Sequence, residues 1–144
     1  MSTIVPLISS GIAGPLGVLH LPRLWLKASL EACGKLAPGY PGCGKGYDQM
    51  VISGLGLDRD AVLACIRDVR PTYPQFEAWV KQNATQLNPE SVAKLNAAIA
   101  GYMHSDATRQ SILSANGIPD GAPRDAVNLN NLDDWFEFHQ AVLR

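Results

Sequence analysis

The densest chemistry in the sequence lies in one run, Gly39-Tyr40-Pro41-Gly42-Cys43-Gly44-Lys45-Gly46-Tyr47-Asp48-Gln49. Cys43 stands between two glycines, which let a reagent approach closely, and Lys45 favours its thiolate. A histidine base completes a nucleophilic pair with such a thiol. His20 is the best candidate, because it lies just ahead of the helix that leads into the loop. Cys43 as nucleophile or acid, His20 as base and Asp48 as the orienting carboxylate form the candidate catalytic set. The plainer reading of Cys43 is a small, buried, inert thiol.

The same loop carries most of a phosphate-binding pattern: a glycine, four residues, then Gly44-Lys45. Two requirements fail. Gly46 stands where Ser or Thr should hold magnesium, and a helix rather than a buried strand precedes the loop. A less specific form survives, in which glycine-freed backbone amides and Lys45 hold a carboxylate or another small anion. Its competitor is a structural connector whose glycines permit positive φ. Arg23 and Lys27 are four apart and project from one helix face. They either clamp an anionic substrate that Asp48 or Gln49 orients, or pair with Asp48 and pin the loop to the helix. Trp25 and Tyr40 are candidate walls. The substrate-binding set is therefore Arg23, Trp25, Lys27, Tyr40, Lys45, Tyr47 and Gln49.

Helices must position these groups. Apolar residues recur with a period near 3.6, and no convincing alternating strand exists. The pattern predicts an all-α, compact single domain over residues 1–144, a bundle of six to seven short helices. An irregular apolar arm over residues 1–21 precedes it, with at most one short strand or extended ladder. A first helix is expected from Pro22 to about Leu36, with Leu26, Leu30 and Cys33 on one stripe and Trp25, Ala28, Ala32 and Leu36 on the next. A short one follows from Tyr47 to Ser53. Asp58 caps a third over 59–69, buried through Val62, Cys65, Ile66 and Val69. Thr72 and Gln75 form a capping box for a fourth, to about Gln82. Asn88-Pro89 starts a fifth, whose stripe is Val92, Leu95, Ile99 and Met103. A sixth spans Asp106 to Ala115 and closes on Asn116-Gly117. The last starts near Leu132 with Leu132, Trp135, Phe136, His139 and Val142 inside, and with Asp133-Asp134 in its first turn complementing the dipole. His139 reads as a core histidine, and His104 as a helix C-terminal residue.

Three stretches in order carry a resemblance: Leu21-Pro22-Arg23-Leu24 with Lys27; Cys43 followed by Tyr47-Asp48-Gln49; and Leu55-Gly56-Leu57-Asp58 leading to Glu77-x-Trp79-Val80-Lys81-x-Asn83. Over roughly residues 10–84 the chain resembles a bacterial family catalogued as domain of unknown function 5069. The resemblance implies a helical fold and a cytoplasmic location, and brings no activity or cofactor.

Composition removes other classes. Formal net charge is −1 and no basic run exists, which disfavours nucleic acid and polybasic membrane binding. Three cysteines without a C-x-x-C pair argue against a disulfide framework or zinc ribbon and for a reducing compartment. The pattern Asn83-Ala84-Thr85 carries no weight beside that. No charge precedes Arg23, yet Pro6, Gly11, Gly14, Pro15 and Gly17 break any signal-like helix, and no apolar run is long enough to span a membrane. Three scattered histidines offer no metal-ligand spacing, so neither metal nor cofactor is expected. Two readings stay open. One is a small-molecule binder or small cofactor-independent enzyme that hydrolyses, eliminates or isomerises a small, partly apolar substrate between the first helix and the loop. The other is a non-enzymatic homodimer whose interface is the apolar arm.

Overall fold

The computed structural model describes residues 2–144, so Met1 of the predicted arm lies outside the described residues. Seven helices follow one another among those residues: α1 (Leu21–Ala32), α2 (Tyr47–Gly54), α3 (Arg59–Ala64), α4 (Tyr73–Asn83), α5 (Pro89–Gly101), α6 (Asp106–Ala115) and α7 (Ala126–Phe138). α3 and α7 each run on into one wider π-type turn, Cys65–Val69 and His139–Leu143. Among the described residues, extended pairing is confined to three isolated bridges, Ile4 with Leu36, Ala13 with Leu19, and Met103 with Asp125. The fold is an all-α single domain, and no helix among the described residues is long and apolar enough to cross a membrane.

Local signals set most boundaries. The Asp58, Thr72, Asn88, Ser105 and Asp125 side chains each accept a backbone N–H in the first turn that follows, and Thr72 with Gln75 makes the reciprocal pair of a capping box. α1 begins one residue before Pro22 and stops at Ala32, short of Leu36, because Gly34 takes φ 69° and turns the chain. Leu21, Leu24 and Ala28 of α1 pack with Val51, Ile52 and Leu55 of α2, Phe76 and Val80 of α4, and Leu95 and Ile99 of α5. Leu113, Ala126 and Leu129 are buried where α6 meets α7.

Several expected positions differ. α7 starts at Ala126, six residues before Leu132, because Asp125 caps it. Asp133 and Asp134 therefore lie in mid-helix and do not complement the dipole at its start. The buried face moves with the boundary: Ala126, Leu129 and Asp134 face inward, while Trp135, His139 and Val142 are exposed. His139 is thus not a core histidine. Val69 lies exposed on the π turn, Met103 falls beyond the end of α5, and on α1 Leu26 and Leu30 are half-buried while Cys33 is exposed. In their place Arg23 and Lys27 turn inward, at 5% and 6% exposure. Two cations enter the interior only with partners, and those partners define the site.

The arm is tied down by polar contacts. Ile4 exchanges backbone hydrogen bonds with Lys35 and Ala37 beyond α1. The Arg23 guanidinium donates to the carbonyls of Pro6 and Ile8 at 2.8 and 2.9 Å and grips Asp134 of α7 through both its terminal nitrogens.

Candidate functional site

His20 closes the arm and opens α1. Its backbone is left-handed, with φ 70°, a conformation that costs a non-glycine residue free energy and that histidine adopts more readily than most. The turn aims the imidazole at α2. There Nε2 lies 2.6 Å from Asp48 Oδ1, and Nδ1 lies 2.9 Å from Ser10 Oγ. Asp48 stands in the first turn of α2 and takes Lys27 Nζ at 2.6 Å and the Gly44 amide at 2.7 Å on its other oxygen. Ser10, His20, Lys27 and Asp48 are all buried, so one continuous polar chain runs Ser10–His20–Asp48–Lys27.

Its protonation follows from its surroundings. Burial pushes His20 below its ordinary 6.5, against the hydrogen bond and charge of Asp48, and Lys27 and Arg23 push the same way. Burial alone would raise Asp48, but the hydrogen bond from His20 and the Lys27 charge outweigh it and hold the carboxyl well below its ordinary range. The imidazole is therefore neutral at pH 7. Its Nε2–H donates to ionised Asp48, and Nδ1 accepts from the Ser10 hydroxyl.

Acid should destabilise the fold in two stages. His20 has a folded pKa below its unfolded one, so above 6.5 it adds nothing, and below 6.5 the unfolded chain binds the proton first and stability falls. Asp48 contributes stability that is present above 3.8 and lost as pH falls towards its lowered folded value. Thermal melts of the wild type should drop between pH 7.5 and 5, and His20→Gln should flatten that slope. An unchanged slope in the variant would remove His20 as its source.

Beside this chain lies a cavity of 320 Å³. α1 supplies His20, Arg23 and Lys27; the loop and α2 supply Gly39, Tyr40, Pro41, Gly44, Lys45, Gly46, Tyr47 and Asp48; the far wall is Tyr102, His104, Ala126, Asn130 and Asp133. The loop folds back over α1, with Gly39 at φ 89° turning the chain and the Gly42 amide donating to Glu31 of α1 at 3.0 Å. The loop's glycine amides do cradle carboxylates, but these are the protein's own, Glu31 and Asp48. Rings step across the cavity: His20 to Tyr47 at 5.3 Å between centroids, Tyr47 to Tyr102 at 5.6 Å, and Tyr102 to His104 at 6.2 Å. Tyr47 is anchored by donating its hydroxyl to the Ile99 carbonyl at 2.6 Å, and burial pushes its phenol up to about 12. Tyr40 donates to Asp134 at 3.0 Å, and Arg23 sits 6.0 Å from its ring centre.

Seven of the ten sequence-selected residues therefore meet at one hollow: His20, Arg23, Lys27, Tyr40, Lys45, Tyr47 and Asp48. Three do not line it. Cys43 is half-buried, its carbonyl accepts from Arg59, and burial together with Asp48 pushes its thiol up rather than down. Trp25 turns to the other side of α1, donating to the Pro71 carbonyl at 3.0 Å and meeting the edge of Tyr73. Gln49 is spent on Arg59 and Ser53. Arg23 pairs with Asp134, not Asp48.

The sequence points to no far-wall residue as part of the site: His104 reads there as a helix C-terminal residue and Asp133 as a first-turn carboxylate, and neither position holds. His104 lies in the connection after α5 and shares a 2.8 Å hydrogen bond with Asn130 of α7. The antiparallel bridge of Met103 with Asp125 and the hydrogen bond from the Ala126 amide to the Tyr102 carbonyl bring that connection onto α7. Asp133 stands three residues after Asn130, hence on the same face. It makes no hydrogen bond or ion pair among the described residues. Burial, then the Asp134 and Glu137 charges, raise its pKa, with Arg23 and His104 opposing. Recognising Asp125 as a cap would have placed Asn130 and Asp133 on this face.

Two other hollows are poorer in chemistry. One of 490 Å³ beside α6 has Asp120 as its single ionisable group, already bound by Arg109; one of 310 Å³ between α2 and α5 has Lys94 as its single ionisable group, beside Met50, Leu95 and Ala98. No group of His, Cys, Asp and Glu among the described residues has the arrangement to hold a metal ion. No family model matches the chain, and no curated protein matches it in sequence.

Proposed function

We propose that the chain binds a small, partly apolar molecule in the 320 Å³ cavity between α1 and the loop of residues 39–46. The observation that supports this is the lining itself: tyrosine rings for an apolar body, with polar and ionisable groups converging on one hollow of ligand size. The buried chain Ser10–His20–Asp48–Lys27 then acts as the rigid back of the site. Both nitrogens of His20 and both oxygens of Asp48 are already committed, so these residues position rather than react. Hydrolysis, elimination or isomerisation without a cofactor belongs to the same reading, with the reacting groups drawn from the far wall. Three free thiols suit a reducing compartment, and we place the protein in the cytoplasm on that ground, alongside its resemblance to domain of unknown function 5069.

Tyr102 tests the site at little structural cost. It is 46% exposed, lines the cavity and has no hydroxyl partner among the described residues. In a fragment screen followed by NMR, ligands should perturb resonances of Tyr47, Tyr102 and His104 together. Tyr102→Ala should weaken those ligands about tenfold, roughly one aromatic contact, while moving Tm by no more than about 3 °C. Fragments that bind with unchanged affinity to Tyr102→Ala, or that perturb only other surfaces, would sink the reading.

A second reading keeps support from the arm. Ile4, Leu7 and Ile12 are 46%, 49% and 51% exposed although the backbone around them is fixed. Such side chains suit a homodimer interface, and a clean monomer by light scattering at high concentration would discard it.

A further inference from the structure

We infer that the cavity takes a small zwitterion, a molecule carrying both an ammonium and a carboxylate, with the ammonium at Asp133 and the carboxylate at Lys45. The assignment rests on the cavity being a ligand site, and it comes from charge accounting around the wall. Four of the ionisable groups there or just behind it are already neutralised in pairs: Lys27 by Asp48 at 2.6 Å and Arg23 by Asp134 at 2.6 Å. One cation and one anion remain on the lining without a partner among the described residues, Lys45 and Asp133. They belong to different elements, the loop and α7, so a ligand in the cavity meets opposite signs from two of its walls.

The neighbouring groups fit the same molecule. His104 shares a 2.8 Å hydrogen bond with Asn130, and both side chains line the cavity together with Asp133. An ammonium has three N–H donors, and the two carboxylate oxygens of Asp133, unpartnered among the described residues, supply acceptors for them. Tyr47 and Tyr102 stand next in the ring series and offer faces that attract a cation and cover an apolar body. A simple anion would meet Asp133, and a simple amine would meet Lys45. Each single-charge ligand therefore leaves one like-signed group facing it.

The acid limb of binding follows from the groups facing Asp133: Asp134 and Glu137 on its own helix, Arg23 from α1, Tyr40 from the loop and His104 from the α5–α6 connection. Their net effect with burial is to raise the Asp133 pKa. Affinity for the ammonium end should therefore begin to fall at a higher pH than an exposed aspartate would set, and Asp133→Asn should remove that limb.

Two matched series separate the possibilities: L-phenylalanine, 2-phenylethylamine and 3-phenylpropanoate, and L-leucine, 3-methylbutylamine and 4-methylpentanoate. Titration of the intact chain at pH 7.5, by calorimetry or NMR, should show one zwitterion binding at least about tenfold tighter than either of its single-charge analogues. Asp133→Asn should erase its advantage over the carboxylate analogue, and Lys45→Met its advantage over the amine. Equal affinities within both series, no binding by either zwitterion, or a ranking untouched by both substitutions would overturn the assignment. The cavity reading is judged separately: neutral fragments that bind and are weakened by Tyr102→Ala keep the site and discard the zwitterion.

Discussion

Asp48→Ala should destabilise the fold by about 3–5 kcal/mol, the typical cost of removing one partner from a buried ion pair. Lys27 would be left charged and buried at 6% exposure with its acceptor gone. The His20 Nε2–H and the Gly44 amide would lose theirs as well. The effect is large against a total of about 5–15 kcal/mol for an ordinary domain. At about 2–4 °C per kcal/mol, Tm should fall by roughly 6–20 °C. The attribution to a stranded charge has its own test. Lys27→Met in the Asp48→Ala background should recover much of the loss, because an apolar side chain has no charge to strand. Denaturant melts of the two singles and the double give the coupling directly. If the double is no better than Asp48→Ala, the cost lies elsewhere, in the histidine and loop hydrogen bonds.

Asp134→Ala is the companion case with a different signature. It leaves Arg23 buried at 5% exposure and removes the acceptor of Tyr40. The guanidinium keeps the carbonyls of Pro6 and Ile8, so the loss should sit near the low end, about 3 kcal/mol. Its reach is what distinguishes it. With the Arg23 fork released from α7, hydrogen exchange should quicken over residues 4–12 of the arm and over the Tyr40 end of the loop. Asp134→Asn should restore part of the protection, since the amide oxygen can still accept. Faster exchange confined to α7 would show that the arm is held without this contact.

Much of this architecture is legible in the sequence because the signals are local. Asp58, the Thr72–Gln75 box and Asn88 each announce a helix within four residues, and Pro38-Gly39 marks the end of the segment containing α1. The loop's placement over α1 is legible in kind, since its glycines and Asp48 need an anchor and Arg23 and Lys27 offer one. What stays hidden is which cation takes which carboxylate. Lys27 finds Asp48 across 21 positions and Arg23 finds Asp134 across 111, and no periodicity carries that information. The α7 boundary fails for a different reason. Asn128, Asn130 and Asn131 are poor helix formers, and they mask the start that Asp125 caps. That one shift of six residues also hid Asn130 and Asp133 from the site. Cys43 drew attention by its glycine neighbours, yet those glycines serve close approach of the loop's amides to Glu31 and Asp48 rather than access to sulfur.

The Arg23 contacts also set an order on biosynthesis. The segment that leaves the ribosome early, around Pro6 and Ile8, can dock on Arg23 at once, but the countercharge on Asp134 is translated 111 positions after the arginine. Until then the guanidinium has only two carbonyls to offset its burial, and the nascent chain should hold its opening segment loosely. Final closure of the domain belongs to the moment α7 arrives. Arrested chains that stop before residue 126 should accordingly be cut by protease within the first twenty residues, and chains carrying α7 should resist.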